Sequence, residues 1–206
     1  MTPVPIRYLA LGDSYTIGEG VMPEARWPHR LAAALRVQGI ALEDPQIIAT
    51  TGWTTDELEA AIAAQAPAGP FGLVSLLIGV NNQYRGRSVE DYAVQFRRLL
   101  ERALHLASGS AGHVLVLSIP DWGVTPFARD REPPRIAREL DGYNAAAAAI
   151  CSAHGVVFVD ITALSRQHGA EPAMLADDGL HPSGAMYALW AQRALPFAQR
   201  LLADST

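Results

Sequence analysis

Short apolar runs alternate with longer amphipathic stretches along almost the whole chain. The apolar runs end at turn residues and predict five buried strands: Ile6–Leu11, Gln46–Ala49, Leu73–Ile78, Val114–Ile119 and Val156–Val159. The stretches between and after them predict helices: Arg26–Val37, Asp56–Gln65, Ser88 to about Ala107, Ile136–Ala153 and about Ser183–Leu202. We expect loops over 122–134 and between the fifth strand and Asp177. Strands alternating with helices indicate an α/β fold with a parallel sheet, and five units are too few for an eight-stranded barrel.

Composition narrows the class of protein. The chain has 206 residues, half of them hydrophobic, which suits a single domain over residues 1–206. The net charge of -5 and the absence of a Lys/Arg run argue against a nucleic-acid surface. A single cysteine, Cys151, excludes an internal disulfide, and we expect it to be a small buried residue of a helix.

No apolar run is long enough to span a bilayer, and the first seven residues do not form a charged segment followed by an apolar one of signal length. We therefore expect a cytoplasmic protein without stable membrane association. The oligomeric state stays open.

A serine stands just after the first predicted strand, in the stretch Gly12-Asp13-Ser14. In an open α/β sheet, ligands bind past the carboxyl ends of the strands, so Ser14 lies where a nucleophile is useful. Two other interpretations fit the same stretch. Asp-Ser after a strand is a good helix N-cap, and the glycines at 18 and 20 could let backbone amides approach an anion.

Polar residues and glycines also follow other strands. Gly52 follows the second strand, Asn81 the third, and the loop before the last helix carries Asp178 and His181. Because the ends of parallel strands face the same way, we expect these segments to converge with Ser14 on one cleft.

These residue types suit acyl transfer. A serine hydroxyl needs a base, and histidine, here His181, is the side chain that most often serves as one. Asp178, three residues earlier, can fix the histidine tautomer, while the Ser14 and Gly52 amides and the Asn81 side chain are suitable donors to an oxyanion. Each feature also has a structural explanation. Residues 178–183 could serve only to cap a helix, and Asn81 and Asn82 could be turn residues. Asp160, a second acid at a strand end, could orient the histidine instead of Asp178, but we expect it to cap a loop.

Trp53, Asn82 and Trp122 lie beside these loops and are candidate substrate-binding residues. Trp27 and Trp190 fall on predicted helix faces, where we expect them to be core residues. No cofactor or metal site is indicated.

Together, Gly12-Asp13-Ser14, Gly52, Gly79-Val80-Asn81 and Asp178-Gly179-Leu180-His181 resemble the blocks of the GDSL or SGNH hydrolase family, in order and in approximate spacing. The resemblance implies a flavodoxin-like three-layer α/β/α fold and esterase activity of the lipase, lysophospholipase and acetylesterase kind. It makes Ser14 the nucleophile, His181 the base and Asp178 its orienting acid. It assigns the oxyanion hole to the Ser14 and Gly52 amides and the Asn81 side chain.

The chain departs from the family pattern at one position. The third block usually has the form Gly-x-Asn-Asp, and here Asn82 replaces the acid. The Gly-x-Ser-x-Gly elbow of α/β-hydrolases is absent, because Thr16 stands two residues after Ser14.

We therefore expect hydrolysis of small-molecule carboxylic esters through an acyl-enzyme on Ser14. The polar segment 123–134 offers no apolar lid, which favours short acyl chains. Acyl transfer, or lysophospholipase or thioesterase activity at the same site, is an open alternative. A non-catalytic, flavodoxin-like protein that binds an anion or nucleotide at residues 18–20 is a more distant one.

Overall fold

A parallel sheet of five strands forms the centre of the computed structural model, which describes residues 4–203. The strands are β1 (Tyr8–Gly12), β2 (Gln46–Ala49), β3 (Leu73–Leu77), β4 (Val114–Leu117) and β5 (Val157–Val159). They lie in the order β2-β1-β3-β4-β5, and every neighbouring pair is parallel. This is the flavodoxin-like order, in which the direction of winding reverses between β1 and β3.

Helices cover both faces of this sheet, as predicted. They are α1 (Ser14–Ile17), α2 (Trp27–Val37), α3 (Thr55–Gln65), α4 (Val80–Tyr84), α5 (Val89–Leu106), α6 (Pro133–Ala153), α7 (Thr162–His168) and α8 (Gly184–Ala203). Helix α2 packs against α8 on one face, whereas α5 packs against α3 and α6 on the other. Within residues 4–203, no helix combines the length and the apolar character needed to cross a membrane.

The core follows the apolar runs of the sequence. Every residue of β1, β3 and β4 is buried, because helices cover both faces of the central strands. The edge strands β2 and β5 are only partly buried. Trp27, Trp190 and Cys151 are fully buried, as expected, and each large apolar side chain contributes about 1.5–3 kcal/mol when it leaves water.

Four helical segments differ from the sequence prediction. Helices α1 and α4 were not predicted, because four or five residues are too few to show a helical period. Helix α7 lies in a segment predicted as loop, and its start is stabilised by Asp160, whose Oδ1 accepts a hydrogen bond of 2.8 Å from the Thr162 amide. Helix α6 begins at Pro133 inside the predicted loop 122–134, because proline suits the first turn of a helix.

A buried carboxyl group joins β1 to α1. Asp13 is the N-cap of α1, and its Oδ1 accepts a hydrogen bond of 3.0 Å from the Tyr15 amide. Its Oδ2 is also buried and has no hydrogen-bond partner within residues 4–203. Burial disfavours the charged form and raises the pKa of Asp13 to about 7, although backbone hydrogen bonds oppose the shift.

This raised pKa predicts a stability that decreases as the pH rises. The folded state holds the Asp13 proton up to about pH 7, whereas the unfolded chain releases it near pH 4. Between pH 5 and 7 the free energy of unfolding of the wild type should therefore decrease by about 2 kcal/mol relative to that of Asp13→Asn, and the difference should level off above pH 7. Urea denaturation of both proteins across pH 5–8 measures this difference.

Asp44→Asn is the matched control, because the Arg36 guanidinium lowers the pKa of that exposed carboxyl group and removes it from this pH window. Its pH profile should run parallel to that of the wild type. A parallel profile for Asp13→Asn would contradict the raised pKa.

Candidate active site

A cavity of about 200 Å³ opens at the carboxyl edge of the sheet, beside the point where the winding reverses between β1 and β3. Five residues singled out in the sequence line it: Ser14, Gly52, Asn81, Trp122 and His181. Six further residues complete the wall: Tyr15, Thr51, Val80, Tyr84, Phe127 and Leu180. Segments that are far apart in the chain therefore meet in one cleft, as the parallel topology predicts.

Ser14 is the first residue of α1 and is 5 % exposed. Its carbonyl oxygen accepts hydrogen bonds of 3.0 Å from the amides of Gly18 and Glu19, and Gly18 ends the helix in the left-handed conformation. These two amides are thus already engaged by the helix end. An anion site at residues 18–20 would lack both donors.

His181 and Asp178 form a tight pair. The His181 Nδ1 donates to the Asp178 Oδ2 at 2.5 Å, and the Asp178 Oδ1 accepts the amides of Leu180 and His181, each at 2.9 Å. Partial burial raises the pKa of Asp178, but the hydrogen bonds from His181 and the two amides outweigh it and lower the pKa below its usual value. The carboxylate therefore holds the ring with Nδ1 as the donor, which leaves Nε2 to accept a proton.

The tyrosine that follows Ser14 supports the imidazole ring. The ring of Tyr15 meets His181 edge to face with 5.9 Å between centroids, and it rests in turn on Trp190 at 5.8 Å. Ser14 and His181 line the same cavity, and no hydrogen bond of ordinary geometry joins them within residues 4–203. In enzymes without substrate such contacts are often long and tighten only in the complex.

Helix α4 fixes the loop that carries Gly52. The Asn81 Nδ2 donates to the Trp53 carbonyl oxygen at 2.9 Å, and the Arg85 Nη2 donates to the Gly52 carbonyl oxygen at 2.6 Å. Gly52 has φ of +86°, a conformation that glycine adopts without strain. Hydrogen bonds thus tie the segment of the Gly52 amide to the helix that carries the Asn81 side chain, and both groups lie at the cavity wall.

Asn82 points away from the cavity and is fully buried. Its Oδ1 accepts the Thr55 amide at 3.1 Å, and its Nδ2 donates to the Thr55 hydroxyl oxygen at 2.6 Å. The Thr55 hydroxyl donates onward to the Gln95 Oε1. Asn82 therefore holds the start of α3 in place and does not line the cavity.

The two tryptophans beside the site differ. The side chain of Trp53 packs against the core and is not part of the cavity wall, so only its carbonyl oxygen contributes, through Asn81. Trp122 does line the cavity, and its Nε1 donates to the Gln83 Oε1 at 2.8 Å. Tyr84 meets its ring edge to face, with 5.5 Å between centroids.

The rings of Tyr84, Trp122 and Phe127 form an aromatic rim of the cavity, and sequence reasoning missed two of them, Tyr84 and Phe127. Tyr84 lies three residues after Asn81, one turn along α4, so a helix prediction there would have indicated it. Phe127 lies in a short 3₁₀ turn, Pro126–Ala128, where no periodic signal was available.

The second acid considered as a partner of His181 lies elsewhere. Asp160 accepts hydrogen bonds from the Thr162 amide at 2.8 Å and the Ser118 hydroxyl at 3.2 Å. Across the described chain, no three His, Cys, Asp or Glu side chains are grouped so that they could hold a metal ion.

Solved structures share this fold. TesA matches with a TM-score of 0.76 at 19 % identity over 95 % of this chain and 99 % of TesA. A lipase/acylhydrolase from Enterococcus faecalis matches with a TM-score of 0.63 at 22 % identity over 95 % of each chain. A variant of Axe2, an acetyl xylan esterase from Geobacillus stearothermophilus, matches with a TM-score of 0.68 at 20 % identity, again over 95 % of each chain.

Among curated proteins, none matches this sequence significantly. The family model for the GDSL-like lipase/acylhydrolase family, however, matches residues 10–189, which include all four sequence blocks that line or adjoin the cavity. The chain is therefore a hydrolase that belongs to the GDSL-like lipase/acylhydrolase family.

Proposed function

We propose that this protein is a serine esterase that hydrolyses short-chain carboxylic esters through an acyl-enzyme on Ser14. The observation that carries the proposal is the meeting of Ser14, the His181–Asp178 pair, Gly52 and Asn81 around one cavity. A nucleophile, a base with a fixed tautomer and uncharged N–H donors are the groups that acyl transfer requires.

Acylation begins when the Ser14 Oγ attacks the ester carbonyl carbon and His181 Nε2 takes the hydroxyl proton. Asp178 stabilises the imidazolium that forms, because its carboxylate accepts the Nδ1–H bond. The carbonyl π electrons move to the oxygen, which becomes an oxyanion. The tetrahedral intermediate then collapses, and the leaving alcohol departs with the proton from His181.

The oxyanion accepts hydrogen bonds from the Ser14 amide, the Gly52 amide and the second N–H of the Asn81 side chain. Arg85 and Asn81 hold the Gly52 loop before substrate arrives, so the donors need little reorganisation during the reaction. Water activated by His181 attacks the acyl-enzyme in the second half-reaction. The acid leaves, and the Ser14 hydroxyl recovers its proton.

The size of the cavity favours a short acyl group. About 200 Å³ is below the roughly 300–1,000 Å³ of sites for drug-sized ligands. The walls are mostly apolar, with Val80, Leu180 and the rings of Trp122 and Phe127. A small apolar acyl group would fill this space. One structural neighbour is described as an acetyl xylan esterase, so acetyl esters belong among the first substrates to test.

Ser14→Ala should reduce the hydrolysis of p-nitrophenyl acetate by at least about 10³-fold, because no other group can carry the acyl intermediate. A fluorophosphonate should label the wild type at Ser14, detected by peptide mass spectrometry. Ser110→Ala is the matched control, since this serine precedes β4 and so lies toward the opposite edge of the sheet. Turnover that survives in a folded Ser14→Ala protein would remove Ser14 as the nucleophile.

Asn81→Ala should lower kcat by about 10²–10³-fold with a much smaller change in KM, because one oxyanion donor is lost. Steady-state kinetics on p-nitrophenyl acetate measures both constants. A decrease in kcat of less than about threefold would take Asn81 out of the oxyanion hole.

The same substitution also frees the Trp53 carbonyl, so a control must separate donor loss from loop movement. Arg85→Met removes the neighbouring hydrogen bond to the Gly52 carbonyl oxygen. It removes none of the three proposed donors to the oxyanion. Its kcat should decrease clearly less than that of Asn81→Ala. An equal decrease would mean that loop position, and not the Asn81 N–H, accounts for the loss.

The acyl preference can be measured directly with p-nitrophenyl esters from acetate to palmitate. We expect kcat/KM to be highest between two and four carbons and to fall by about tenfold or more at ten carbons, as longer chains exceed the cavity. A maximum at ten or more carbons would contradict the short-chain preference.

A further inference from the structure

A guanidinium group lies over the aromatic rim of the cavity. The Arg131 Cζ is 5.1 Å from the ring centroids of Tyr84 and Phe127 and 5.5 Å from that of Trp122. Its Nη2 also donates to the Tyr84 hydroxyl at 3.0 Å. All three rings line the cavity that contains Ser14 and His181, so Arg131 is fixed beside the site by its stacking partners.

The charge of Arg131 has no carboxylate partner among the residues that the structure describes. Within residues 4–203, no Asp or Glu oxygen lies within 4.0 Å of its guanidinium. Nearby arginines are paired: Arg85 with Glu57, Arg87 with Asp56, and Arg135 with both Glu132 and Glu139. Of the five N–H donors of Arg131, the hydrogen bond to Tyr84 uses one, so an anionic group could use the others.

Arg131 lies on the route out of the cavity. A second hollow of about 310 Å³ shares Tyr84 and Trp122 with the cavity and is lined by Arg131 on its other side. Tyr84 is 48 % exposed and Phe127 41 %, so these rings form the outer rim. If a short acyl group fills the cavity, the alcohol part of the ester can reach across this rim to the hollow that Arg131 lines.

We propose that Arg131 is a specificity-determining residue that binds a carboxylate on the alcohol part of the ester substrate. This inference rests on the proposed esterase function. A guanidinium held against aromatic rings can bind a carboxylate through two parallel hydrogen bonds. A single negative charge fits better than a phosphate dianion, because the hollow also contains the carboxylates of Glu132 and Glu139, and Arg135, which pairs with both, offsets only one of these two charges.

The test compares 4-acetoxybenzoate with its methyl ester, which is neutral. Both form the same acetyl-enzyme and differ only in the leaving phenol. The different reactivity of the two phenols is the same for every variant, so a change in the ratio of their kcat/KM values between variants reports on recognition of the alcohol part. We define the ratio as kcat/KM for 4-acetoxybenzoate divided by kcat/KM for its methyl ester. This ratio should be about tenfold lower in Arg131→Gln than in the wild type, because the variant loses a hydrogen bond between charged groups. Arg131→Lys keeps the charge but loses the planar pair of donors, and it should give an intermediate ratio.

Arg129→Gln is the matched control, because it removes the same charge from the same exposed segment. Its ratio should equal that of the wild type, and a decrease as large as in Arg131→Gln would show a general field effect and overturn the proposal. A ratio that stays within about twofold of the wild type in Arg131→Gln would also overturn it. The same substitution can be tested with 4-acetoxyphenyl phosphate. If Arg131→Gln lowers kcat/KM more for this phosphate than for 4-acetoxybenzoate, the choice of a carboxylate as the ligand would be wrong.

Binding separates this inference from the esterase proposal. Calorimetry with the Ser14→Ala protein measures the affinity for 4-acetoxybenzoate and its methyl ester without turnover. Adding Arg131→Gln should weaken the benzoate about tenfold relative to the methyl ester. An unchanged affinity ratio would overturn the role of Arg131, whereas failure of the wild type to hydrolyse either ester would count against the esterase function alone.

Discussion

The parallel pairing of β1 with both β2 and β3 is the constraint on which the site depends. Gly12, the last residue of β1, lies in register with Ala49 and Leu77, the last residues of β2 and β3. The three strands therefore end at one level, and the residues that follow them enter the same space. A Cβ at Gly12 would lie 2.5 Å from the Leu77 carbonyl oxygen, so the close approach of β1 to β3 requires glycine there. A register slip of one residue would turn Ser14 away from Gly52 and Asn81.

Strand register brings the segments together, but polar contacts of α4 set their geometry. A five-residue helix is not stable alone, and α4 is held by its own side chains and by that of its C-cap, Arg85, which bind the loop before α3 and the first residue of α3. Asn81 binds the Trp53 carbonyl, Arg85 the Gly52 carbonyl, and Asn82 the Thr55 amide and hydroxyl. The helix that carries one proposed oxyanion donor thus also positions the other.

The sequence predicted the elements with a clear period and the residues whose chemistry follows a strand end. The sheet, its long helices and the position of Ser14 and His181 at one edge follow from those signals. Helices α1, α4 and α7 are too short for such a signal. The aromatic rim was missed because Phe127 and Arg131 lie in an irregular segment more than forty residues from Tyr84, and their contact depends on tertiary packing alone. The burial of Asn82 against Thr55 also depends on tertiary packing, because the two residues are far apart in the chain.

Asn82 shows why an amide can replace the acid that usually follows the oxyanion asparagine. Here the Asn82 amide donates to the Thr55 hydroxyl, which donates its own proton to the Gln95 Oε1, so the hydroxyl both accepts and donates a hydrogen bond. A carboxylate at position 82 can only accept. The Thr55 proton would then turn toward it, and Gln95 would have to rotate its amide to donate to Thr55. Asp13 is already a fully buried carboxyl at this edge, and burial raises its pKa because the charged form is disfavoured there. A carboxylate at position 82 would carry the same cost of burying a charge. The neutral Asn82–Thr55–Gln95 chain therefore keeps the start of α3 in place without that cost.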